Sequence, residues 1–130
     1  MKIVVMILLI VVAGVGLLCF FNNQSPVWVG QAANGDWTAV YEEGPHKKWF
    51  GTLQWNGNEE PILLYREFKI NGNYVSGDKT GESRNERIVN NIEFVAFGER
   101  PNDNDCLELL LKWTEGKITF EETIVLKHKH

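Results

Sequence analysis

The chain has 130 residues, with 13 basic and 17 acidic side chains and a formal net charge of −4. This length accommodates one soluble domain beside one hydrophobic segment, which excludes a second catalytic domain. A mildly acidic chain without a basic stripe is a poor nucleic-acid binder, because phosphate contact draws on clustered Lys and Arg. Nucleic acid is therefore not expected as a partner.

The N-terminal end is hydrophobic. Ile3 to Phe21 is a run of 19 residues without a charged or strongly polar side chain, and as a helix it would span roughly 29 Å, the thickness of a bilayer core. Lys2 precedes the run, and no positive charge follows it between Asn22 and Gly35. The sequence predicts a single-pass signal anchor over residues 1–22 in the cell membrane, with a cytoplasmic N-terminus and an extracytoplasmic C-terminal domain.

Two alternatives remain open for this end of the chain. Gly30-Gln31-Ala32 loosely fits the small-residue pattern of a signal-peptide cleavage site, but it lies about ten residues beyond the hydrophobic run, farther than cleavage normally occurs. Cys19 would be the acylated residue of a lipoprotein, but Leu18 occupies the position where a small residue is needed. We expect an uncleaved anchor, with Cys19 as an apolar residue facing lipid.

Residues 23–34 are polar and small except around Trp28, which predicts a spacer in which Trp28 either rests at the headgroup level or begins the domain. Residues 35–130 form the predicted extracytoplasmic β domain. Beyond Gly35 the apolar residues recur with a period of two. Trp37, Ala39 and Tyr41 share one face of a first strand, as a half-buried strand requires. A second strand, residues 49–55, ends at Asn56-Gly57, which favours a tight hairpin turn.

The third strand alternates from Ile62 to Ile70 and ends at Asn71-Gly72, a strong hairpin signal. Asn73 to Ser76 is expected to return antiparallel to it. Residues 77–87 and 98–105 are polar and predict surface loops on either side of a strand from Ile88 to Phe97. Residues 107–114 and 117–127 then predict a third hairpin around Glu115-Gly116.

This pattern predicts a mainly β fold, an antiparallel immunoglobulin-like β-sandwich of about seven strands, with a small β-barrel as the alternative. No amphipathic helix is predicted outside the anchor. Four tryptophans are candidate core aromatics because such large side chains can anchor a sheet; they are Trp37, Trp49, Trp55 and Trp113.

Two charged residues interrupt the apolar alternation, Arg66 in the third strand and Glu122 in the last one. If both side chains point inward, they should pair, since one buried charge left alone costs several kcal/mol. The break in the pattern thus leads to the hypothesis of an inward Arg66–Glu122 ion pair. The alternative is a β-bulge that turns Glu122 outward, with Arg66 near an edge and its head in water.

Searches for nucleophile, phosphate-binding and metal-protease motifs find none, and adjacent carboxylates such as Glu121-Glu122 would point to opposite faces of a strand. Asn102 to Asp105 lacks the length and terminal Glu of an EF-hand loop, so an ordinary turn is expected. Cys106 has no neighbour in sequence that would lower its pKa. We expect no catalytic residue, no cofactor and no metal, and hence not an enzyme.

Gly35-Asp36-Trp37 resembles the G-x-W signature of lipocalins, which implies a barrel with a cavity for small apolar ligands. A broader resemblance covers about Asp36 to Lys127. Within it, residues 49–57, 97–101, 111–113 and 122–126 are similar to small membrane-attached exported β domains of Gram-positive-type bacteria. That group implies a β-sandwich outside the membrane and carries no agreed activity, so no site residue is transferred.

These observations predict a non-enzymatic cell-envelope protein that presents a β domain to another protein or a wall component. The loops 77–87 and 98–105 are the predicted contact surface, because loops on a rigid sheet most often carry recognition. The second hypothesis is a lipocalin-like binder of a small apolar ligand.

Overall fold

A computed structural model describes residues 26–79, 81 and 83–129. The predicted anchor over residues 1–22 and Cys19 lie outside these residues. Across the part of the chain that is described, the structure contains no helix with the length and hydrophobicity needed to span a membrane.

The described residues form nine β-strands. They are β1 (Val27–Gln31), β2 (Trp37–Glu43), β3 (Trp49–Trp55), β4 (Ile62–Ile70), β5 (Asn73–Gly77), β6 (Glu86–Arg87), β7 (Asn91–Gly98), β8 (Leu107–Glu115) and β9 (Ile118–Lys129). One short 3₁₀ turn, Pro45–Lys47, joins β2 to β3.

The strands form one antiparallel sheet in the order β5-β4-β8-β9-β1-β2-β3-β7, and the short β6 also pairs with β4. The sheet curls until its two end strands approach each other, where the Ser76 hydroxyl of β5 donates to the Phe94 carbonyl of β7 at 2.5 Å. The result is a nearly closed barrel. We call the line between β5 and β7 the seam.

The mainly β, antiparallel prediction is confirmed, and the arrangement is nearer to the small barrel than to the sandwich. β9 has 12 residues; its first part pairs with β8 and its last part with β1. That long strand joins what would otherwise be two separate sheets. The described residues contain nine strands rather than seven, because β1 and β6 were not predicted. β6 has two residues, too few to show a period, and Trp28 is the only large apolar side chain that β1 directs inward.

β1 lies within the stretch predicted to be a spacer. Trp28 is 1% exposed in the core, and β1 is hydrogen-bonded between β2 and β9. The β domain described here therefore begins no later than Val27. The physical reason is that burying one tryptophan and completing two ladders outweighs the polar character of the flanking residues.

The two Asn-Gly pairs behave differently. Asn71 and Gly72 have φ of 53° and 80° and connect β4 to β5 as the predicted tight hairpin. The hairpin predicted at Asn56-Gly57 is wrong, because β3 pairs with β2 and β7 while β4 pairs with β5, β6 and β8. That segment is a crossover between strands that are not neighbours.

β4 carries an irregularity that changes its inner face. The register against β8 shifts between Leu63 and Tyr65, so that Leu63 is fully buried and Leu64 is displaced from the predicted inner row. Beyond the shift, Arg66 and Phe68 lie opposite Leu111 and Leu109, both fully buried. The alternation predicted for the second half of β4 is therefore kept.

Aromatic side chains and leucines fill the barrel interior. Trp37 packs against Trp55 and Trp113 with ring centroids 4.7 and 5.7 Å apart, and Trp49 packs against Trp28 at 5.6 Å. All four candidate core tryptophans are at most 9% exposed. Burying each such side chain stabilises the fold by about 2–3 kcal/mol before the entropy of ordering it is subtracted.

Candidate functional site

An open cleft of about 710 Å³ lies at the seam. Its walls come from β5, from β7 and from the two loops predicted as a contact surface. The loop of residues 77–87 contributes Gly77 and Arg84. The loop of residues 98–105 contributes Gly98, Glu99, Arg100, Pro101 and Asp105. A volume of this size falls within the range of small-molecule and peptide side-chain sites.

β7 is irregular where it borders the seam. Thr52 of β3 faces Glu93 and Gly51 faces Val95, so Phe94 has no partner in the ladder. The two carbonyls of β7 that reach across the seam accept hydrogen bonds from side chains instead of from a strand. Glu93 O accepts from Arg66 Nη1 at 2.7 Å, and Phe94 O accepts from Ser76 Oγ.

Arg66 enters the cleft from the inner side of β4. Its Nη1 donates to Glu93 O, whereas its buried Nε has no acceptor among the described residues. Burial lowers the pKa of Arg66 from its ordinary value, and the neighbouring Arg84 lowers it further by repulsion. A half-buried cation with unused donors is thus present in the wall of an open cleft.

The structure does not bring Arg66 and Glu122 together. They stand on one row of the sheet with Leu111 between them, two strand spacings or roughly 10 Å apart. Glu122 Oε2 instead accepts a hydrogen bond from the Ala33 amide at 2.6 Å. No ion pair joins the two residues in the described part of the chain, because each has a closer backbone partner.

A buried ion pair fixes the loop on the β5 side of the cleft. Asp78 is 8% exposed, and Arg84 binds its carboxylate through two hydrogen bonds of 2.7 and 2.8 Å. Arg84 Nη1 also reaches Glu86 at 3.0 Å. These bonds hold the pKa of Asp78 below its ordinary value and raise that of Arg84.

The opposite wall is fixed by a phenol. Tyr41 is 1% exposed, and its hydroxyl donates to Glu99 O at 2.8 Å. Burial raises the pKa of Tyr41 to about 12, so this donor keeps its proton at neutral pH.

The Asp105 carboxylate is also held by hydrogen bonds, one from Asn71 Nδ2 at 2.9 Å and one from the backbone amide of Asn102 at 2.8 Å. The Asn102–Asp105 segment is an ordinary turn with its carboxylate already used.

An exposed aromatic residue marks the rim. Phe97 is 70% exposed and packs edge-to-face against Phe50, with ring centroids 5.4 Å apart. Its φ is 56°, a value that bulky residues rarely adopt. Val75 on β5 is 39% exposed on the other side of the seam. Strained, exposed aromatic residues of this kind concentrate at binding sites.

The cleft contains donors and apolar surface, an arrangement suited to binding. Cys106 lies outside it, and its thiol is hydrogen-bonded to Glu108 at 3.3 Å, which raises the pKa of the thiol and disfavours the thiolate. Within the described ranges, no three His, Cys, Asp or Glu side chains gather at metal-binding distance.

Sequence reasoning found Arg66 from its break in the apolar pattern, but it missed Asp78, Arg84 and Phe97. Asp78 and Arg84 lie in a stretch of mixed charge, where nothing distinguishes a buried pair from solvated residues. Phe97 precedes Gly98 at a strand end, and this is a local sign of an unusual backbone.

Comparison of the chain with protein-family models, curated proteins and solved structures finds no match.

Proposed function

We propose that this chain is a non-enzymatic, membrane-anchored cell-envelope protein whose β domain recognises another protein or a wall component at the seam cleft. The observation that carries the proposal is the cleft itself, which opens between the two end strands of the sheet and is lined by both polar loops. Residues 1–22 serve as the anchor and keep the domain on the outer side of the cell membrane.

Unpaired sheet edges support recognition of an extended partner. Among the strands that the structure describes, β5 pairs with β4 alone and β7 with β3 alone, so each leaves backbone groups on its seam side outside the regular ladder. Such edges bind added strands or ordered segments in many recognition domains. Apolar side chains at the rim, Val75 and Phe97, would contribute contact area beside these backbone groups.

The filled interior favours a surface site over a lipocalin-like cavity. Trp37, Trp49 and Trp113 are at most 2% exposed and pack directly on other rings. An apolar ligand would have to displace these side chains at the cost of several kcal/mol. Titration with an apolar dye is therefore expected to give no saturable change in tryptophan emission, and a saturable change would favour the small-ligand hypothesis.

Site-specific crosslinking tests the proposed function. A photoreactive amino acid replaces Val75, which lies in the seam and is 39% exposed, or Val125 of β9, which is 41% exposed and serves as the matched control. In intact cells we expect discrete crosslinked adducts from position 75 and none, or far fewer, from position 125. Equal adducts from both positions would contradict recognition at the seam.

Protease shaving of intact cells tests the topology in the same strain. We expect loss of the β domain from intact cells and survival of a short N-terminal fragment in the membrane. A domain that resists protease until the cells are opened would place it on the cytoplasmic side and overturn the proposed envelope role.

A further inference from the structure

We propose that the seam cleft is a carboxylate-binding site in which the Arg66 guanidinium is the recognising group. This inference rests on the proposed function and names the chemistry of the partner: a peptide-like ligand that carries a carboxylate into the cleft. It assigns a specific role to the one charged residue of β4 that faces the inner side of the sheet.

The guanidinium is oriented and only partly used. The hydrogen bond from Nη1 to Glu93 O fixes the plane of the group at one end. Among the described residues, neither Nε nor Nη2 has an acceptor, and no carboxylate forms an ion pair with Arg66. Nη2 is the donor that a carboxylate in the cleft reaches first, and Nε, which is buried without an acceptor, lies on the same edge of the fork. A small shift of the side chain would present both to the two oxygens of a carboxylate.

Two other charged side chains of the cleft wall, Arg84 and Asp105, are already engaged. Arg84 is shared between Asp78 and Glu86, and Asp105 accepts two hydrogen bonds from asparagine groups. Arg66 is consequently a half-buried cation that no carboxylate of the described part of the chain contacts within ion-pair distance, although Asp78, Glu86 and Glu93 attract it from farther away. A buried donor without an acceptor costs free energy, and a bound anion that accepts its hydrogen bond removes that cost.

A carboxylate fits this wall better than a phosphate. Glu93 and Glu99 line the same cleft, and their negative charges disfavour a dianion more than a monoanion. The edge strands and the apolar rim around Val75 and Phe97 suit a ligand with a backbone and an apolar side chain. A terminal carboxylate and a side-chain carboxylate both satisfy this chemistry, and the experiment below separates them.

The test observes Arg66 directly in the full-length chain, purified in detergent micelles. Its ¹H–¹⁵N Nε resonance is assigned as the signal that is lost in Arg66→Lys. The titrants are N-acetylglycine, with a terminal carboxylate, and N-acetylaspartate α-amide, with only a side-chain carboxylate. N-acetylglycinamide, which has no carboxylate, and sodium phosphate are the controls.

We expect at least one carboxylate to shift the Arg66 Nε signal saturably, with an affinity at least tenfold higher than those of N-acetylglycinamide and phosphate. The matched control is Arg87, an arginine with 71% exposed side chain outside the cleft, whose signal should move only linearly. The preferred carboxylate identifies a terminal or a side-chain source. An Arg66 signal that stays fixed, or that follows Arg87, would overturn the proposal.

A variant separates this inference from the proposed function. Arg66→Lys keeps the charge but loses the fork, and its fold is checked by its thermal unfolding. We expect crosslinking from position 75 to fall at least fivefold in this variant and to be unchanged in Arg87→Lys. Undiminished crosslinking in a folded Arg66→Lys variant would refute the carboxylate site and leave the recognition function standing. Saturable binding at Arg66 without any adduct from position 75 would support the carboxylate site and contradict the proposed recognition function.

Discussion

Arg84 and Asp78 form a fork-to-fork pair, with Arg84 Nε donating to Asp78 Oδ2 at 2.8 Å and Nη2 to Oδ1 at 2.7 Å. Oδ2 also accepts the Arg66 amide at 3.1 Å, and the Asp78 amide donates to Arg66 O at 2.7 Å. One carboxylate therefore ties the loop after β5 to the backbone of β4, beside the cleft. Since the acid is almost fully buried, its charge depends on Arg84 for compensation.

Removing the cation should destabilise the fold. We expect Arg84→Gln to lower the free energy of unfolding by about 2–4 kcal/mol, because it leaves the buried Asp78 charge without its partner. Urea denaturation, monitored by tryptophan emission, measures this change in the free energy of unfolding. The control Arg87→Gln removes a largely exposed arginine whose pair with Glu60 is long, 3.8 Å, and should cost less than about 0.5 kcal/mol. Equal losses in the two variants would contradict the assigned role.

The same pair predicts a loss of stability in acid. Hydrogen bonds from Arg84 hold the folded-state pKa of Asp78 below the ordinary value of 3.8, so the unfolded chain takes up its proton first as the pH falls. The contribution is complete above the ordinary pKa and is lost as the pH falls through the folded-state pKa.

The measurement is the urea midpoint of the wild type and Asp78→Asn from pH 6 to pH 3. The gap between them should be widest near pH 6 and should narrow below about pH 4. Glu121→Gln, which removes an exposed carboxylate of β9, serves as the control. A gap that stays constant over this range would show that Asp78 is not stabilised in its ionised form.

Tyr41 predicts an effect at alkaline pH. Its folded-state pKa is raised from 10.0 to about 12, chiefly by burial, so its contribution to stability is present below pH 10 and is lost as the pH rises toward 12. Spectrophotometric titration should show an ionisation step near pH 12. Tyr41→Phe should remove that step; a late step that survives in this variant would assign it to another tyrosine.

Gly51 is required by the close approach of a ring. A Cβ on Gly51 would lie 2.5 Å from Cζ of Phe94, and that ring is held against Phe68 at 5.1 Å. Alanine normally stabilises a strand relative to glycine, but here we expect Gly51→Ala to lower the free energy of unfolding by about 1–3 kcal/mol. Thr52→Ala, at the exposed neighbouring position, should change it by less than about 1 kcal/mol. A stabilised Gly51→Ala variant would disprove this packing.

Several strands could be predicted because their signals are local, and so could the turns at Asn71-Gly72 and Glu115-Gly116. Trp37, Ala39 and Tyr41 alternate inward as predicted and are at most 1% exposed. The turn at Asn71-Gly72 forms because those two residues tolerate positive φ. At Asn56-Gly57 the same dipeptide failed as a predictor, since the strand that follows pairs elsewhere in the sheet. A turn signal reports local backbone preference and contains no information about the partner strand.

The amino-acid order alone determined the β character, the inward rows of apolar side chains and the unusual position of Arg66, since these follow from a two-residue period and from the chemistry of single residues. Only the tertiary structure decided which strands are neighbours, that β5 meets β7 at an open seam, and that Arg66 faces Glu93 there instead of Glu122. Those outcomes depend on pairings between residues distant in sequence, whose free energies are set by register and closure of the whole sheet.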